Sequence, residues 1–185
     1  MRAEITEIYG KYGFDEKYNK FEVNLPHSGR KENKVNVLVQ CNYPYQPEVG
    51  DVVEITGTVT TYDEKEAGLQ TYIVVISLFK SSFDDFDLKN NTVSVTGRVF
   101  RKDKLGFTAS GTAVQRVSVS INTEGRYVPV HCIGHNTAAE ALNGLELNEI
   151  AEISGRLVSR EFLYREDKKR VTTELIVDYV YPIRA

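Results

Sequence analysis

Apolar and polar residues alternate strictly in several segments of the chain, which is the pattern of a β-strand that buries one face. In residues 116–121 the odd positions are valine or isoleucine, and the even positions are arginine or serine. In residues 127–133 two valines and Cys132 form a second apolar row, and Tyr127 falls on the opposite face. Each strand therefore has one core face and one polar, basic or aromatic face.

The alternation continues through residues 152–162, where Leu157 is predicted to be buried and Val158 to lie on the polar face. Residues 137–144 combine helix-favouring residues with a terminal glycine, which predicts one short helix. Five strands with a helix between the third and the fourth is the order of an OB-fold barrel. The five strands are predicted at 93–99, 112–121, 127–135, 152–162 and 170–178.

The first half of the chain repeats part of the second half. Residues 50–59 align with residues 148–157, and Glu-Ile-Thr-Gly at 54–57 matches Glu-Ile-Ser-Gly at 152–155 most clearly. Three further strands are predicted at 3–9, 20–25 and 34–40, whereas 42–47 is too rich in proline for a helix. We therefore predict an all-β protein of two tandem five-stranded OB-fold barrels. Their predicted limits are 1–82 and 92–185, with a linker at 83–91 that is acidic and rich in asparagine.

Composition and charge limit the classes of protein to which this chain can belong. The 185 residues carry a net charge of −3, with 10 basic and 15 acidic side chains in residues 1–91 and 13 basic and 11 acidic in residues 92–185. The basic excess thus lies in the second half, as expected of a surface that binds nucleic acid. Two cysteines argue against a disulfide scaffold. No apolar run approaches the ~20 residues that cross a membrane, so we expect a soluble cytoplasmic protein without a membrane partner.

The order of these segments, with a glycine at 134 ending the third strand and a Thr-Thr-Glu run at 172–174 in the last, resembles the bacterial single-stranded DNA-binding protein family over residues 92–183. The resemblance implies an OB-fold that coats and protects single-stranded DNA in replication, recombination or repair. Family members commonly assemble four barrels, which implies that this two-barrel chain forms a homodimer. It also implies contacts with replication or repair proteins, although the family's acidic C-terminal tail is missing and the segment 83–88 serves more simply as a tether.

Candidate base-stacking residues follow from this resemblance. Tyr127 and Phe162 fall where the family usually carries a stacking aromatic, and Tyr164 lies on the same hairpin as Phe162. Gly125 and Ile133 stand at two further family positions that have lost their aromatic ring, which predicts weaker contact per barrel. The alternatives are a half-buried strand tyrosine at 127 and a hairpin that packs against a neighbouring subunit.

Basic side chains of the second half are the candidate phosphate contacts. Arg116, Arg156 and Arg160 share the parity of the polar face, whereas the basic residues at the hairpin tip are interrupted by acidic ones and equally fit a solvated loop. The strand candidates are Arg98, Arg116, Arg126, Arg156 and Arg160, and the tip candidates are Arg165, Lys168, Lys169 and Arg170.

The polar face of the first barrel is poor in aromatic residues apart from tyrosines in or near its hairpins. Those tyrosines, which could compensate by stacking on bases, are Tyr12, Tyr18, Tyr62 and Tyr72. A first barrel that binds no strand leads to the alternative function, an OB-fold assembly factor of a replication or conjugation complex. In that case the barrels mainly bind protein.

Neither metal chemistry nor catalysis is expected. His131 and Cys132 are consecutive residues of one strand and point to opposite faces, and His27 and His135 complete the histidines, so four zinc ligands do not come together. The chain has no glycine-rich phosphate loop and no acidic pair in a plausible pocket. We therefore predict a binding protein without enzymatic activity, cofactor or metal.

Overall fold

The computed structural model describes residues 1–13, 16–25, 33–64, 68–82, 91–123, 125–164 and 168–183; the side chains of 162–164 and 168–170 are not among the described parts. The chain divides into two compact units. The first comprises Met1–Asn91 and Val158–Thr172, and the second comprises Thr92–Leu157 and Thr173–Ala185. The predicted linker lies outside the described residues except for Asn91.

The first unit contains a closed barrel of five strands in the order β1-β2-β3-β5-β4. Strands β3 and β5 run parallel and the other neighbours are antiparallel. Alternate residues of each strand fill the interior, as shown by buried Val37 beside Ile73 and Ile73 beside Val59. The strands are β1 Arg2–Tyr12, β2 Tyr18–Asn24, β3 Lys34–Gln40, β4 Val52–Glu64 and β5 Gly68–Lys80.

The second unit repeats this strand order. Strand β6 pairs with both β8 and β10, β9 runs parallel to β11, and the sheet order β6-β10-β11-β9-β8 therefore closes into a ring. A two-residue strand, β7, was not predicted and pairs with the start of β8. The elements are β6 Val93–Lys102, β7 Gly106–Phe107, β8 Ala113–Thr123, β9 Arg126–His135, α1 Thr137–Asn143, β10 Ile150–Tyr164 and β11 Lys168–Ile183.

Two tandem OB-fold barrels with a short helix in the second are thus confirmed. Helix α1 buries Ala139 and Leu142, and the ammonium of Lys102 donates to the carbonyl oxygens of Asn143 and Leu145, each at 2.8 Å. Those carbonyls at the end of a helix have no partner within the helix, so Lys102 completes their hydrogen bonding. In the part of the chain that the structure describes, no helix is long and apolar enough to span a membrane.

Matching glycines allow close strand packing in both barrels. A Cβ atom on Gly57 would lie 2.3 Å from the carbonyl oxygen of Val74, and one on Gly155 would lie 2.0 Å from that of Ile176. Both distances are far below van der Waals contact, so only glycine fits where β4 meets β5 and β10 meets β11. The repeated Glu-Ile-Thr/Ser-Gly sequence therefore carries a shared structural requirement.

One prediction about burial was wrong. Val158 was expected on the polar face but is 5% exposed, and Ser159 beside it is 7% exposed. Residues 158–172 belong to the first unit, where the amide of Ser159 donates to the side-chain oxygen of Asn33 at 2.8 Å, so alternation no longer decides which residues of this segment are exposed.

Candidate nucleic-acid interface

The outer face of β8 and β9 carries the aromatic side chain predicted to stack on bases. Tyr127 is 76% exposed, the largest exposed fraction among the large apolar side chains that the structure describes. It pairs with Asn122 across the two strands, and Ser120 pairs with Pro129 on the same outer face. An aromatic ring this exposed contributes little to its own barrel, so its surface is available to a ligand.

Arginines of the neighbouring strands surround this surface. Arg98 pairs with Ser120, and Arg101 pairs with Ser118, so β6 adds two exposed guanidinium groups beside the outer face of β8. Arg116 on β8 is also exposed and lies opposite Ile133 of β9. Sequence reasoning missed Arg101, because a bulge between Val99 and Arg101 shifts the strand's alternation by one residue. The result is a basic sheet face that ends in one exposed tyrosine.

The arginines near this face and on the neighbouring strands differ in the contacts that they make within the protein. Arg98 donates to the carbonyl oxygen of Asn148 at 2.9 Å, and Arg101 lies 3.3 Å from the carboxylate of Asp103. Arg156 is only partly exposed, lies 3.6 Å from Asp178, and its buried Nε has no hydrogen-bond partner in the described part of the chain. Arg126 is exposed at the start of β9. Among the predicted phosphate contacts whose side chains the structure describes, Arg156 is thus the least accessible.

The two positions without the expected aromatic have structural reasons for it. Gly125 lies in the turn before β9 with a φ of 77°, a left-handed conformation that would strain an aromatic residue. Ile133 is 4% exposed, so it packs within the sheet and offers no surface to a base. The aromatic contact of this face therefore rests on Tyr127.

His131 and Cys132 lie on opposite faces of β9, as predicted. Cys132 is buried in the core, and burial raises the pKa of its thiol to about 12. His131 forms a hydrogen bond of 2.9 Å with the hydroxyl of Ser118 on the outer face. Among the residues that the structure describes, no three metal-binding side chains come together.

The hairpin formed by β10 and β11 begins in the second barrel, but residues 158–172 belong to the first compact unit. Asn33 is 2% exposed and accepts hydrogen bonds from both the amide and the hydroxyl of Ser159, and Gln70 donates to the carbonyl oxygen of Val171 at 3.3 Å. The hairpin is therefore held by the first half of its own chain. Arg160 is exposed on it.

The remaining hairpin candidates are only partly described. Phe162, Tyr164, Lys168, Lys169 and Arg170 lie in the strands β10 and β11, but their side chains are outside the described parts, and Arg165 lies outside the described residues altogether. Their roles as stacking and phosphate contacts stay predictions from the sequence.

The corresponding outer face of the first barrel is filled by its own aromatic residues. The rings of Tyr12, Tyr62 and Tyr72 contact one another with centroids 5.3–6.2 Å apart, and Tyr72 is fully buried. Tyr18 is also buried, against Leu38 and Tyr72. The idea that these four tyrosines compensate by stacking on bases was wrong for Tyr18 and Tyr72, because neighbouring side chains cover both rings.

A partly buried ion pair completes this tyrosine cluster. The ammonium of Lys20 lies 3.3 Å from Glu64 and between 5.1 and 5.3 Å from the ring centroids of Tyr9, Tyr12 and Tyr72. Desolvation alone would raise the pKa of Glu64, but hydrogen bonds from Tyr72 and Tyr12 and the charge of Lys20 lower it overall. The ammonium group of Lys20 is thus stabilised by cation–π contacts with the aromatic rings.

A second exposed aromatic residue of the second barrel was also missed. Phe107 on β7 is 70% exposed and lines a cleft of about 240 Å³ next to Arg116. Residues 100–111 lie between the strands predicted at 93–99 and 112–121, and they show no alternation that would predict a further strand. A phenylalanine between glycine and threonine residues in such a loop was the available signal. The other residues that line the cleft are Asp103, Lys104, Gly106, Thr108 and Val114.

Comparison with solved structures supports this architecture. The chain is similar to the single-stranded DNA-binding protein of Thermus aquaticus in a deletion mutant, with a TM-score of 0.76 and 17% identity over 100% of this chain and 92% of that chain. The wild-type form gives a TM-score of 0.74 and 16% identity over 100% and 91%. No family model matches the sequence, and no curated protein matches it significantly. The chain therefore has the tandem OB-fold of bacterial single-stranded DNA-binding proteins over its whole length.

Proposed function

We propose that this protein binds single-stranded DNA through the outer face of β8 and β9. The observation that carries the proposal is the exposed ring of Tyr127 on a sheet face that also presents Arg98, Arg101 and Arg116. Binding a single strand without reading its sequence requires aromatic surfaces for bases and cations for phosphates, and this face supplies both. The face formed by the second and third strands is also where OB-folds generally bind oligonucleotides.

The role that fits this surface is to coat and protect exposed single strands during replication, recombination or repair, without chemistry of its own. The fold shared with the Thermus aquaticus protein, whose name states single-stranded DNA binding, supports this role. Phe162 and Tyr164 are proposed as further stacking contacts, and Arg160 with the basic residues of the hairpin tip as further phosphate contacts.

The first barrel is proposed to serve structure and assembly, with little part in binding the strand. Its tyrosines are packed on one another and its central cation, Lys20, is paired with Glu64. Opening this cluster to receive a base would leave a partly buried charge without its partner, which is costly. The excess of acidic residues in the first half also disfavours binding of a polyanion there.

A titration of the intact protein with fluorescent single-stranded and duplex oligonucleotides tests the proposed function. We expect preference for the single strand, because stacking on Tyr127 requires an unpaired base. Raising the salt concentration should weaken binding with a log–log slope of about 2 to 3, since about four phosphate contacts release ~0.7 counterion each. Equal affinity for duplex, or no affinity for either, would contradict the proposal; in the second case the assembly factor becomes the better account.

We also propose that the chain is a homodimer. Both rings are closed, so strand edges do not require a partner, but the end of β11 presents three alternate apolar side chains, Tyr179, Tyr181 and Ile183, that are 63%, 57% and 48% exposed. A second copy could cover this row through a symmetric contact. Dimerisation would join two binding faces and raise the effective concentration of each for one strand.

Light scattering coupled to size exclusion should report about twice the chain mass of 20.9 kDa at micromolar concentration. We expect the Tyr179→Ser, Tyr181→Ser double variant to elute as a folded monomer. A wild-type monomer would contradict the proposed dimer, and a dimeric double variant would show that the contact lies elsewhere.

A further inference from the structure

We propose that the cleft beside β7 is a second base-binding site, in which Phe107 stacks on one base of a bound single strand while Arg116 and Lys104 contact its phosphates. This inference rests on the proposed function. It adds Phe107 and Lys104, which were not among the residues predicted from the sequence to bind nucleic acid. The cleft of about 240 Å³ is lined by Phe107, Arg116, Lys104, Asp103 and Val114, among others. It is smaller than the ~300–1,000 Å³ of typical pockets for small molecules, so a single ring inserted from a chain fits it better.

Phe107 is held on a rigid hairpin although its ring is exposed. Strand β7 pairs with β8 through Gly106–Val114 and Phe107–Ala113, and the amide of Thr108 donates to the carbonyl oxygen of Thr112 at 2.9 Å. The ring is therefore presented to solvent by an ordered backbone. Such preorganisation reduces the entropy lost when a base stacks on it.

A buried glutamine anchors the same hairpin at its base. Gln115 is fully buried, and its side-chain amide donates to the carbonyl oxygen of Asp103 at 2.7 Å and to that of Arg116 at 3.1 Å. The amide of Asp103 donates in turn to the carbonyl oxygen of Arg116 at 3.0 Å. These bonds hold the wall that carries Lys104 against the strand that carries Arg116. Hydrogen bonds within the barrel thus fix the shape of the cleft.

The charges of the cleft favour a polyanion. Lys104 and Arg116 are exposed, and neither forms an ion pair with any residue that the structure describes. The one acidic lining residue, Asp103, is paired with Arg101 at 3.3 Å. A cleft lined by one aromatic ring and two cations can bind a base together with its flanking phosphates.

The cleft continues the surface of Tyr127. Arg116 belongs both to the cleft and to the outer face of β8, while Tyr127 pairs with Asn122 toward the other end of the same strand. From Val114 to Asn122 the strand advances roughly 27 Å at about 3.4 Å per residue. Phe107 and Tyr127 would therefore stack on different bases of one strand that crosses the barrel along β8.

The chain has no tryptophan, which allows a direct test in the intact protein. We expect fluorescence of Phe107→Trp to be quenched by oligothymidine with unchanged or tighter affinity, because tryptophan provides a larger stacking surface. Phe79→Trp is the matched control, since Phe79 is similarly exposed at 63% but lies in the first barrel. Quenching at position 107 and none at position 79 supports the second site.

The alanine variants give the energetic counterpart. We expect Phe107→Ala to weaken binding of oligothymidine at least about fivefold, and Phe79→Ala to leave it unchanged, with circular dichroism confirming that both are folded. Phe107→Ala that binds as tightly as wild type, together with unquenched Phe107→Trp, would overturn the second site while the proposed function stands. A wild-type protein that binds no single strand would overturn both.

Discussion

The Tyr127→Ala substitution is expected to weaken binding of single-stranded DNA by roughly 1–3 kcal/mol, or about five- to 150-fold in Kd. Tyr127 is 76% exposed, and its ring is the one strongly exposed aromatic surface of β8 and β9 in the part of the chain that the structure describes. Gly125 and Ile133 offer no aromatic ring, so neither residue replaces the stacking surface that is lost with Tyr127. Fluorescence anisotropy with labelled oligothymidine measures the change.

Tyr127→Phe is the matched control, because it keeps the ring and removes only the hydroxyl group. It should retain most of the affinity, and the free energy of unfolding should differ little among the three proteins, since the side chain is exposed. Adding Phe162→Ala should increase the loss beyond ~2 kcal/mol if the sequence-based role of Phe162 holds. An unchanged Kd for Tyr127→Ala would remove the basis for a stacking face on β9.

The Gly155→Ala substitution is expected to destabilise the protein by at least about 3 kcal/mol, the upper end of ordinary overpacking. Its Cβ atom would lie 2.0 Å from the carbonyl oxygen of Ile176, a backbone atom that cannot move without separating β10 from β11. The variant should unfold at a much lower urea concentration than the wild type. It should also bind DNA poorly, because both strands belong to the ring that positions the binding face.

Gly106→Ala is the control for this effect. The nearest atom to a Cβ there is the carbonyl oxygen of Val114 at 3.9 Å, an ordinary contact, so the cost should stay below about 1 kcal/mol. If Gly155→Ala unfolds at the same urea concentration as Gly106→Ala, strand spacing in the barrel does not depend on glycine at this position.

The sequence predicted the barrels well because alternation reports burial within a single strand. Val117, Val119 and Ile121 are all buried as expected, and the predicted short helix at 137–144 is observed at Thr137–Asn143. The Gly57 and Gly155 match also marked the repeat correctly. These features depend on local pattern and on the close approach of neighbouring strands.

Contacts between distant segments could not be predicted in the same way. Ser159 is buried where Asn33, 126 residues before it, accepts hydrogen bonds from its amide and its hydroxyl. Tyr72 is covered by Tyr12 and Tyr62, which join it only when β1, β4 and β5 come together. In both cases the exposure of a side chain depends on residues from distant strands. Which strands come together is decided by the topology and cannot be read from the local pattern.

The exposure of two further residues was missed because one follows a β-bulge and the other lies in a short hairpin. Arg101 turns outward because the bulge in β6 breaks the alternation, and Phe107 is exposed because β7 is a two-residue strand at the edge of the cleft. Neither feature has a periodic signal. Alternation therefore predicted the exposure of Tyr127 and Arg116, whereas the exposure of Arg101 and Phe107 was missed.

The central claim is that a single strand binds the outer face of the second barrel while the tyrosine cluster of the first barrel stays closed. Photo-crosslinking of oligonucleotides that contain 5-iodo-deoxyuridine, followed by mass spectrometry of the peptides, tests this most directly because stacked aromatic residues crosslink efficiently. The account predicts crosslinks at Tyr127 and none at Tyr12, Tyr62 or Tyr72. Crosslinks confined to those first-barrel tyrosines would contradict it.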